Sequence, residues 1–403
     1  MLVVCLLLAA FLGRPSSAAA GGLGMRPPEA SFRPNDPLNA PAFDHYYNLD
    51  YDLAIQEFDQ VLHRHPDDPF AVNHFMTAIL IRELYRMGAL NSGEYSSDSF
   101  IGQAHRPADP KVKQQIKGLV ARAENLEERA LKSNPNNIDA LYARGVTRAE
   151  FSVYTALIER AWFSALRNAV GARHDHERVL ELNPNYVDAK LVVGAHYYVL
   201  GSLPWGVKMA VALVGLSGSK DKGIEYLYEV AKGDGESSTD AQVVLSLFLR
   251  REHRYDEALG IVRGLIPLYP HSVLLALEEG NLLRVAGHAP EAAAVYRRVW
   301  QAGREGHYAG LHYEMAALAL GDLLRDGKDY GGAAAAYDEL SQVSPPDPEL
   351  LQKAELAAGE MYDLLKQRDL AIKRYQAAIL AGASPVLTAT ARARIREPYH
   401  GPP

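Results

Sequence analysis

The chain has 403 residues, of which 48% are hydrophobic and 23% are charged. That composition is typical of a folded protein and excludes disorder along the whole chain. The formal net charge is −7, which argues against a general nucleic-acid binder, because such proteins usually carry a basic face.

Residues 1–20 predict a secretory signal peptide. They contain the apolar run MLVVCLLLAAFLG, and Ala18 and Ala20 supply the small residues that signal peptidase needs. Cys5, the only cysteine, lies in this run, so the mature chain is expected to begin near Gly21 without a thiol. Export without cysteines favours the bacterial periplasm or cell envelope. An uncleaved anchor and a misassigned start are the alternatives, since no positive segment precedes the run.

Residues 21–42 are predicted to form an extended linker, and a repeated helical pattern follows them. Apolar residues there recur every three or four positions, which predicts amphipathic helices. Three stretches share a tyrosine, an alanine three residues later and a proline twelve residues after that: DYDLAIQEFDQVLHRHP, RYDEALGIVRGLIPLYP and DYGGAAAAYDELSQVSP. Proline cannot supply a helical N–H, so each stretch is expected to be a helix that ends at its proline.

This order resembles the tetratricopeptide repeat (TPR), a helix pair with a small residue at position 8, alanine at 20, a large residue at 24 and proline at 32. The resemblance implies an all-α fold, a right-handed superhelical solenoid of antiparallel helix pairs with about eight units. The units are regular in 238–384 and divergent, with insertions, in 43–237. Two long helices are expected around FSVYTALIERAWFSALRNAVGA, and residues 385–403 are predicted to be a capping helix and tail. The insertion at 204–218 also resembles the inclusion-clearance TPR proteins of the mitochondrial outer membrane.

The TPR resemblance implies a concave groove, lined by the first helix of each pair, that binds a segment of a partner protein. The candidate groove residues are Arg250, Arg284, Arg325, Asn281, Asp322, Tyr142 and Tyr198. The three arginines occupy motif position 12 in consecutive units, and such a column would suit a carboxylate. The alternative is that they are solvated residues near helix C-termini. Tyr197, at position 11, is expected in the core.

No residue cluster predicts catalysis, a metal site or a cofactor. His174 and His176 lie two residues apart and so face different sides of a helix, which favours His176 as a packed histidine at position 24. The stretch GLSGSKDKG lacks the order of a phosphate-binding loop and is expected to be a helix end and turn.

We therefore predict a non-catalytic scaffold that binds a protein or peptide and no nucleic acid. Two alternatives stay open. One is a membrane-associated assembly or lipid-handling factor that uses the apolar segment 204–218 in a peripheral membrane contact, although a buried helix is the preferred interpretation of that segment. The other is an enzyme with a site in the loop 91–110.

Overall fold

The computed structural model describes residues 32–90, 106–212 and 217–401, and every regular element in these ranges is a helix. This confirms the all-α fold class. In chain order the α-helices are α1 Asn39–Tyr47, α2 Tyr51–Arg64, α3 Pro69–Arg86, α4 Pro110–Ser133, α5 Ile138–Val153, α6 Trp162–Leu182, α7 Lys190–Ser202, α8 Trp205–Ala212, α9 Lys220–Ala231, α10 Ser238–Arg251, α11 Tyr255–Leu265, α12 Val273–Val285, α13 Ala289–Arg304, α14 Met315–Asp326, α15 Tyr330–Asp338, α16 Pro348–Leu364, α17 Arg368–Ala381 and α18 Pro385–Arg396.

Consecutive helices pack as pairs, as the TPR pattern predicted. In the described residues the pairs are α1/α2, α3/α4, α5/α6, α7/α9, α10/α11, α12/α13, α14/α15 and α16/α17, which agrees with about eight repeat units. Helix α18 follows the last pair, and its Ala391 packs in one cluster with Tyr375 and Ala378 of α17. It therefore covers the apolar face that the last repeat would otherwise expose.

The chain divides into two compact units, unit 1 from Met1–Pro270 and unit 2 from His271–Pro403. The sequence placed the change from divergent to regular repeats after residue 237, whereas the boundary between the two units lies after Pro270. The pair α10/α11 is therefore regular in sequence but belongs to unit 1. Contacts across unit 1 explain the difference. The ring of Phe248 in α10 stacks on Tyr198 at 3.8 Å between centroids, and the hydroxyls of Tyr142 and Ser237 lie 3.1 Å apart.

Each helix pair of unit 2 depends on a glycine in its first helix that faces a tyrosine in its second. In unit 2 these residues are Gly280 with Tyr296, Gly321 with Tyr337, and Gly359 with Tyr375. A Cβ placed on Gly359 would lie 2.5 Å from Cε1 of Tyr375, which is closer than two carbon atoms can approach. The absence of a side chain at position 8 is therefore what lets the two helices meet.

A histidine takes the place of the tyrosine in the pair α5/α6. His176 is fully buried, and a Cβ on Gly145 would lie 2.5 Å from its ring. Burial lowers the pKa of His176 to about 4, so the ring is neutral at neutral pH. Its Nε2 lies 3.2 Å from the backbone oxygen of Tyr142. The prediction of a packed histidine is confirmed.

Long helices form around FSVYTALIERAWFSALRNAVGA, as the sequence predicted. Helix α5 continues into a π-helical turn at Tyr154–Ile158, and α6 is a long helix of 21 residues. The stretch GLSGSKDKG differs slightly from expectation. Its Ser219 is the N-cap of α9, because the side chain accepts a hydrogen bond from the backbone N–H of Lys222 at 3.3 Å.

Two parts of the interpretation of the sequence are wrong. The segment 21–42 is not a linker throughout, because α1 begins at Asn39 and the ring of Phe32 stacks on Phe43 at 4.6 Å. The segment 204–218 is not buried at its described side chains, since Trp205 is 79% exposed and Met209 is 53% exposed. The signal segment 1–20, most of the loop 91–110 and residues 213–216 lie outside the described residues.

None of the helices in the described ranges is both long enough and apolar enough to cross a bilayer.

We predict that Gly359→Ala destabilises unit 2 by about 1–3 kcal/mol, because the new methyl group would overpack the contact with Tyr375. Gly331→Ala is the matched control in the same unit, since its methyl group would meet only the Asp329 side chain at 3.9 Å. Thermal unfolding followed by circular dichroism measures both. Equal midpoints for the two variants would contradict the proposed packing.

Candidate functional site

The predicted arginine column does not present free guanidinium groups in unit 2. Arg284 pairs with the carboxylate of Asp326. Arg325 reaches Asp322 at 3.0 Å and Asp326 at 3.4 Å. Both side chains are about one-third exposed, at 33% and 37%. The protein's own aspartates thus occupy the positions that a partner carboxylate was expected to take.

The two position-9 candidates have a packing role within their pairs. The hydroxyl of Tyr296 donates to Asn281 at 2.8 Å, and the hydroxyl of Tyr337 donates to Asp322 at 2.7 Å. In the next pair the acceptor is instead Asp363, four residues after the glycine, which the hydroxyl of Tyr375 reaches at 2.7 Å. A buried phenol needs such an acceptor, so a polar residue of the first helix satisfies the tyrosine that the glycine admits.

Two candidates in unit 1 are buried and were wrongly assigned to an exposed groove. Arg250 is only 8% exposed and Tyr198 is fully buried, with its hydroxyl donating to Glu252 at 2.9 Å. Phe248 of α10 covers the ring of Tyr198, which accounts for its burial. Tyr197 was predicted for the core and is instead half-buried, with the ammonium of Lys222 at 4.4 Å from its ring.

Tyr142 is also buried, but it lies at a site that the sequence did not predict. The first helices of several pairs in unit 1 line a partly open cavity of about 40 Å³. Its lining residues are Phe43, Phe70, Asn73, His74, Thr77, Tyr142, Val146, Glu150, Glu236, Ser237 and Asp240. They come from α1, α3, α5 and the start of α10. We call the surface formed by these residues, with Asp139, Tyr186 and Asp188 beside them, the inner face of unit 1.

Arg33 from the N-terminal segment lies on this inner face. Its guanidinium carbon is 4.5 Å from the ring centroid of Phe70, 4.9 Å from that of Tyr186 and 5.6 Å from that of Tyr142. The same guanidinium donates to the carboxylate of Asp139 and to the hydroxyl of Tyr186. Three aromatic rings and one carboxylate therefore hold a single arginine side chain.

Flanking contacts fix the backbone around Arg33. Its own N–H donates to Glu236 at 3.4 Å. Asp36 binds Arg64 at 2.7 Å and His65 at 3.0 Å. The side-chain amide of Asn39 donates to the backbone oxygen of Pro34 at 2.7 Å. Residues 32–36 are thus anchored on both sides of the arginine.

Carboxylates make the inner face acidic. Burial, with repulsion from Glu236, raises the pKa of Asp188 to about 6, although the backbone N–H of Ser237 donates to it at 3.3 Å. Burial also raises the pKa of Asp240 to about 6, with further repulsion from Glu150 and Glu236. Burial is the larger cause for both carboxyls, and repulsion from the neighbouring carboxylates adds to it.

The repeat pattern predicted Tyr142 as a groove residue but did not predict the rest of this site. Arg33 lies in the predicted linker, and Asp139, Asp188 and Glu236 stand outside the motif positions that define the helix pair. The arginine and its carboxylate are 106 residues apart in the chain. A weak signal was present in the FRPND stretch, where a phenylalanine and an arginine precede a proline that disfavours helix.

Metal binding finds no support in the described ranges, where no group of three or more His, Cys, Asp or Glu side chains could hold a metal ion. No protein-family model matches this chain, and no curated protein matches it.

Several solved structures are similar to this chain in fold. Human IFIT1, solved as a dimer with m7Gppp-AAAA, is 14% identical and aligns over 89% of this chain and 82% of its own, with a TM-score of 0.40. PilF of Pseudomonas aeruginosa is 18% identical, with 61% and 99% covered and a TM-score of 0.34. A tetratricopeptide repeat protein of Parabacteroides merdae is 16% identical, with 79% and 97% covered and a TM-score of 0.34. Similarities this distant assign no function to the chain.

We predict that Arg33→Ala lowers the stability of unit 1 more at about pH 7.5 than at about pH 5. The pKa of Asp188 is about 6 in the fold, so its carboxylate is ionised mainly at the higher pH. At that pH the loss of Arg33 removes a positive charge that stabilises the ionised carboxylate. The contacts of the guanidinium with the rings suggest a loss of about 0.5–2 kcal/mol at the higher pH.

Thermal melts at the two pH values measure this difference. Arg82→Ala is the matched control, because Arg82 pairs with Asp52, which is 89% exposed. The idea fails if Arg33→Ala shifts the midpoint equally at both pH values.

Proposed function

We propose that this protein is a non-catalytic scaffold whose inner face of unit 1 binds an extended, arginine-bearing protein segment. The observation that carries the proposal is the seating of the chain's own Arg33 among Phe70, Tyr142 and Tyr186, beside Asp139. A surface of rings and carboxylates that holds one arginine in an extended segment has the chemistry to hold the same group from a partner.

The sign of the expected partner charge is therefore the opposite of the sequence-based hypothesis. Asp326 and Asp322 already take the guanidinium groups of Arg284 and Arg325. The inner face of unit 1 instead gathers several carboxylates, among them Asp139, Asp188 and Glu236, which favours a basic segment. A phosphate backbone would be repelled there, and this supports the prediction that the partner is not a nucleic acid.

The N-terminal segment, in this proposal, is an intramolecular occupant that a partner segment replaces. Residues 32–36 are tethered to α1, so their effective concentration at the site is high and a partner must compete with them. If the signal 1–20 directs export, the exchange would occur in the cell envelope. An enzyme site in the loop 91–110 stays an alternative, because residues 91–105 lie outside the described ranges.

We predict that a labelled peptide with residues 30–37, ASFRPNDP, binds the Arg33→Ala protein more tightly than the unsubstituted protein, because the site has been vacated. A peptide in which alanine replaces the arginine should bind at least about tenfold more weakly, since the guanidinium would lose its carboxylate and its rings. Fluorescence anisotropy measures both affinities.

Two further variants separate site binding from general charge attraction. Asp139→Asn in the Arg33→Ala background should weaken binding of the arginine peptide, because the ion pair is lost. Asp326→Asn in the same background should leave it unchanged, because Asp326 lies in unit 2. Equal affinity of the arginine and alanine peptides would disprove the proposal.

A second candidate function is attachment to an anionic membrane surface, and exposed apolar residues at one end of α6 and α7 favour it. Phe163 is 92% exposed and Trp205 is 79% exposed, and Trp162, Leu166 and Met209 are exposed as well. Large exposed apolar side chains next to basic residues are typical of interfacial membrane contacts. Basic residues are present in Arg167 and Lys208, and no acidic residue occurs in 160–174 or 199–220.

The antiparallel packing of α6 and α7 brings these residues to the same end of the layer. The guanidinium of Arg173 lies 5.0 Å from the ring of Tyr197, which fixes the register of the two helices. Trp162 lies about 16 Å along α6 from Arg173, and the end of α7 lies about 8 Å beyond Tyr197 in the same direction. Trp205 follows that end directly, so both tryptophans occupy one edge of unit 1.

We predict that the full chain floats with phosphatidylglycerol vesicles and not with phosphatidylcholine vesicles. The double variant Phe163→Ser/Trp205→Ser should lower the bound fraction at least about tenfold, because each aromatic side chain loses its burial in the interface. Leu380→Ser is the control, since Leu380 is 89% exposed in unit 2. Flotation of the double variant at the original level would exclude this function for α6 and α8.

A further inference from the structure

We infer that the partly open cavity lined by α1, α3, α5 and the start of α10 is a subsite for an alkylammonium group, which a lysine of the bound segment would supply. The lysine as its source rests on the proposed function, whereas the subsite is defined by this chain's own residues. The volume of about 40 Å³ exceeds the roughly 10–15 Å³ that one water molecule needs.

One buried hydrogen-bond acceptor at the cavity has no donor, since Nδ1 of His74 makes no hydrogen bond within the described part of the chain. The carboxyl of Asp240 is hydrogen-bonded by Tyr47 and is repelled by Glu150 and Glu236. The His74 side chain is only 9% exposed, and its Nε2 lies 4.0 Å from a carboxylate oxygen of Glu236. That carboxylate favours the tautomer with its proton on Nε2, which leaves Nδ1 as an acceptor inside the cavity.

Packing prevents His74 from turning away from the cavity. Its ring lies 4.9 Å from the ring of Phe43, with an interplanar angle of 76°, and 5.6 Å from the ring of Phe58. No lysine or arginine is among the described residues that line the cavity. A buried acceptor held in place without a donor costs free energy, and a donor-bearing ligand would remove that cost.

An alkylammonium group matches this lining better than water or a neutral alcohol. It carries three N–H donors and no acceptor, as an acceptor-rich wall requires. Its positive charge would relieve the repulsion that Glu150 and Glu236 exert on Asp240, which neutral molecules cannot do. The faces of Phe43, Phe70 and Tyr142 supply the apolar walls that favour a cation above a ring.

The test uses n-propylammonium chloride as the probe for the full chain, with sodium chloride added to hold the ionic strength constant. Binding is followed by the ¹H–¹³C resonance of the His74 ring, assigned from the spectrum of His74→Gln. Two comparison probes separate the contribution of the positive charge from that of the N–H donors. n-Propanol has the same shape without charge, and tetramethylammonium has the charge without N–H donors.

We expect saturable binding of n-propylammonium, and binding at least about tenfold weaker for both comparison probes, since each lacks one of the two matched properties. Asp240→Asn should weaken n-propylammonium at least about tenfold, because the charge is lost while the shape is kept. This variant should fold, since it removes a repelled carboxylate. Asp256→Asn, at an exposed carboxylate of α11, should leave the affinity unchanged.

Three results would overturn the inference. One is equal binding of n-propanol and n-propylammonium, and another is tetramethylammonium binding as tightly as n-propylammonium. The third is unchanged affinity in a folded Asp240→Asn protein. If Asp240→Asn does not fold, His74→Phe, which removes the Nδ1 acceptor, takes its place with the same expectation, and binding is then followed by the ring resonance of Tyr142, which also lines the cavity. These measurements use no peptide, so they can fail while ASFRPNDP still binds, and the reverse is equally observable.

Discussion

The close approach of two helices at a glycine is the contact on which this architecture depends. At Gly359 there is no space for a Cβ beside Tyr375, and equivalent contacts occur at Gly280 and Gly321 in unit 2. Because the tyrosine fills the space that the glycine leaves, its hydroxyl is carried into the pair and needs an acceptor. A polar residue of the first helix supplies that acceptor, as Asp322 does for Tyr337 at 2.7 Å. The absence of a side chain at the glycine thus determines where the tyrosine packs and which side chain accepts its hydrogen bond.

The same dependence explains why several predicted binding residues are structural. A residue next to the glycine in the first helix was expected to face a partner, but it is the nearest group that can accept from the buried phenol. Arg325, three residues further along the helix, is then within 3.0 Å of Asp322 and is drawn into an internal ion pair. Asp322 accepts a hydrogen bond from the buried hydroxyl of Tyr337, and Arg325 neutralises Asp322. Fewer side chains of this surface are therefore left to bind a partner.

Unit 1 differs because several carboxylates gather on its inner face. Asp188 and Glu236 come close together although 48 residues separate them, and Arg33 of the N-terminal segment lies near both. Three aromatic rings surround the guanidinium, an arrangement that suits a planar cation as well as a charge. Both the proposed segment binding and the proposed ammonium subsite rest on these carboxylates and rings.

The sequence by itself determined the all-α class, the number of helix pairs and the capping helix α18. It could do so because glycine, alanine, tyrosine and proline recur at spacings that only a local helix pair requires. Tertiary structure alone decided that α10 and α11 join unit 1, that Tyr198 is buried beneath Phe248, and that Arg33 lies on the inner face. These outcomes depend on which distant side chains meet, and a periodic local pattern contains no information about contacts between residues that are far apart in the chain.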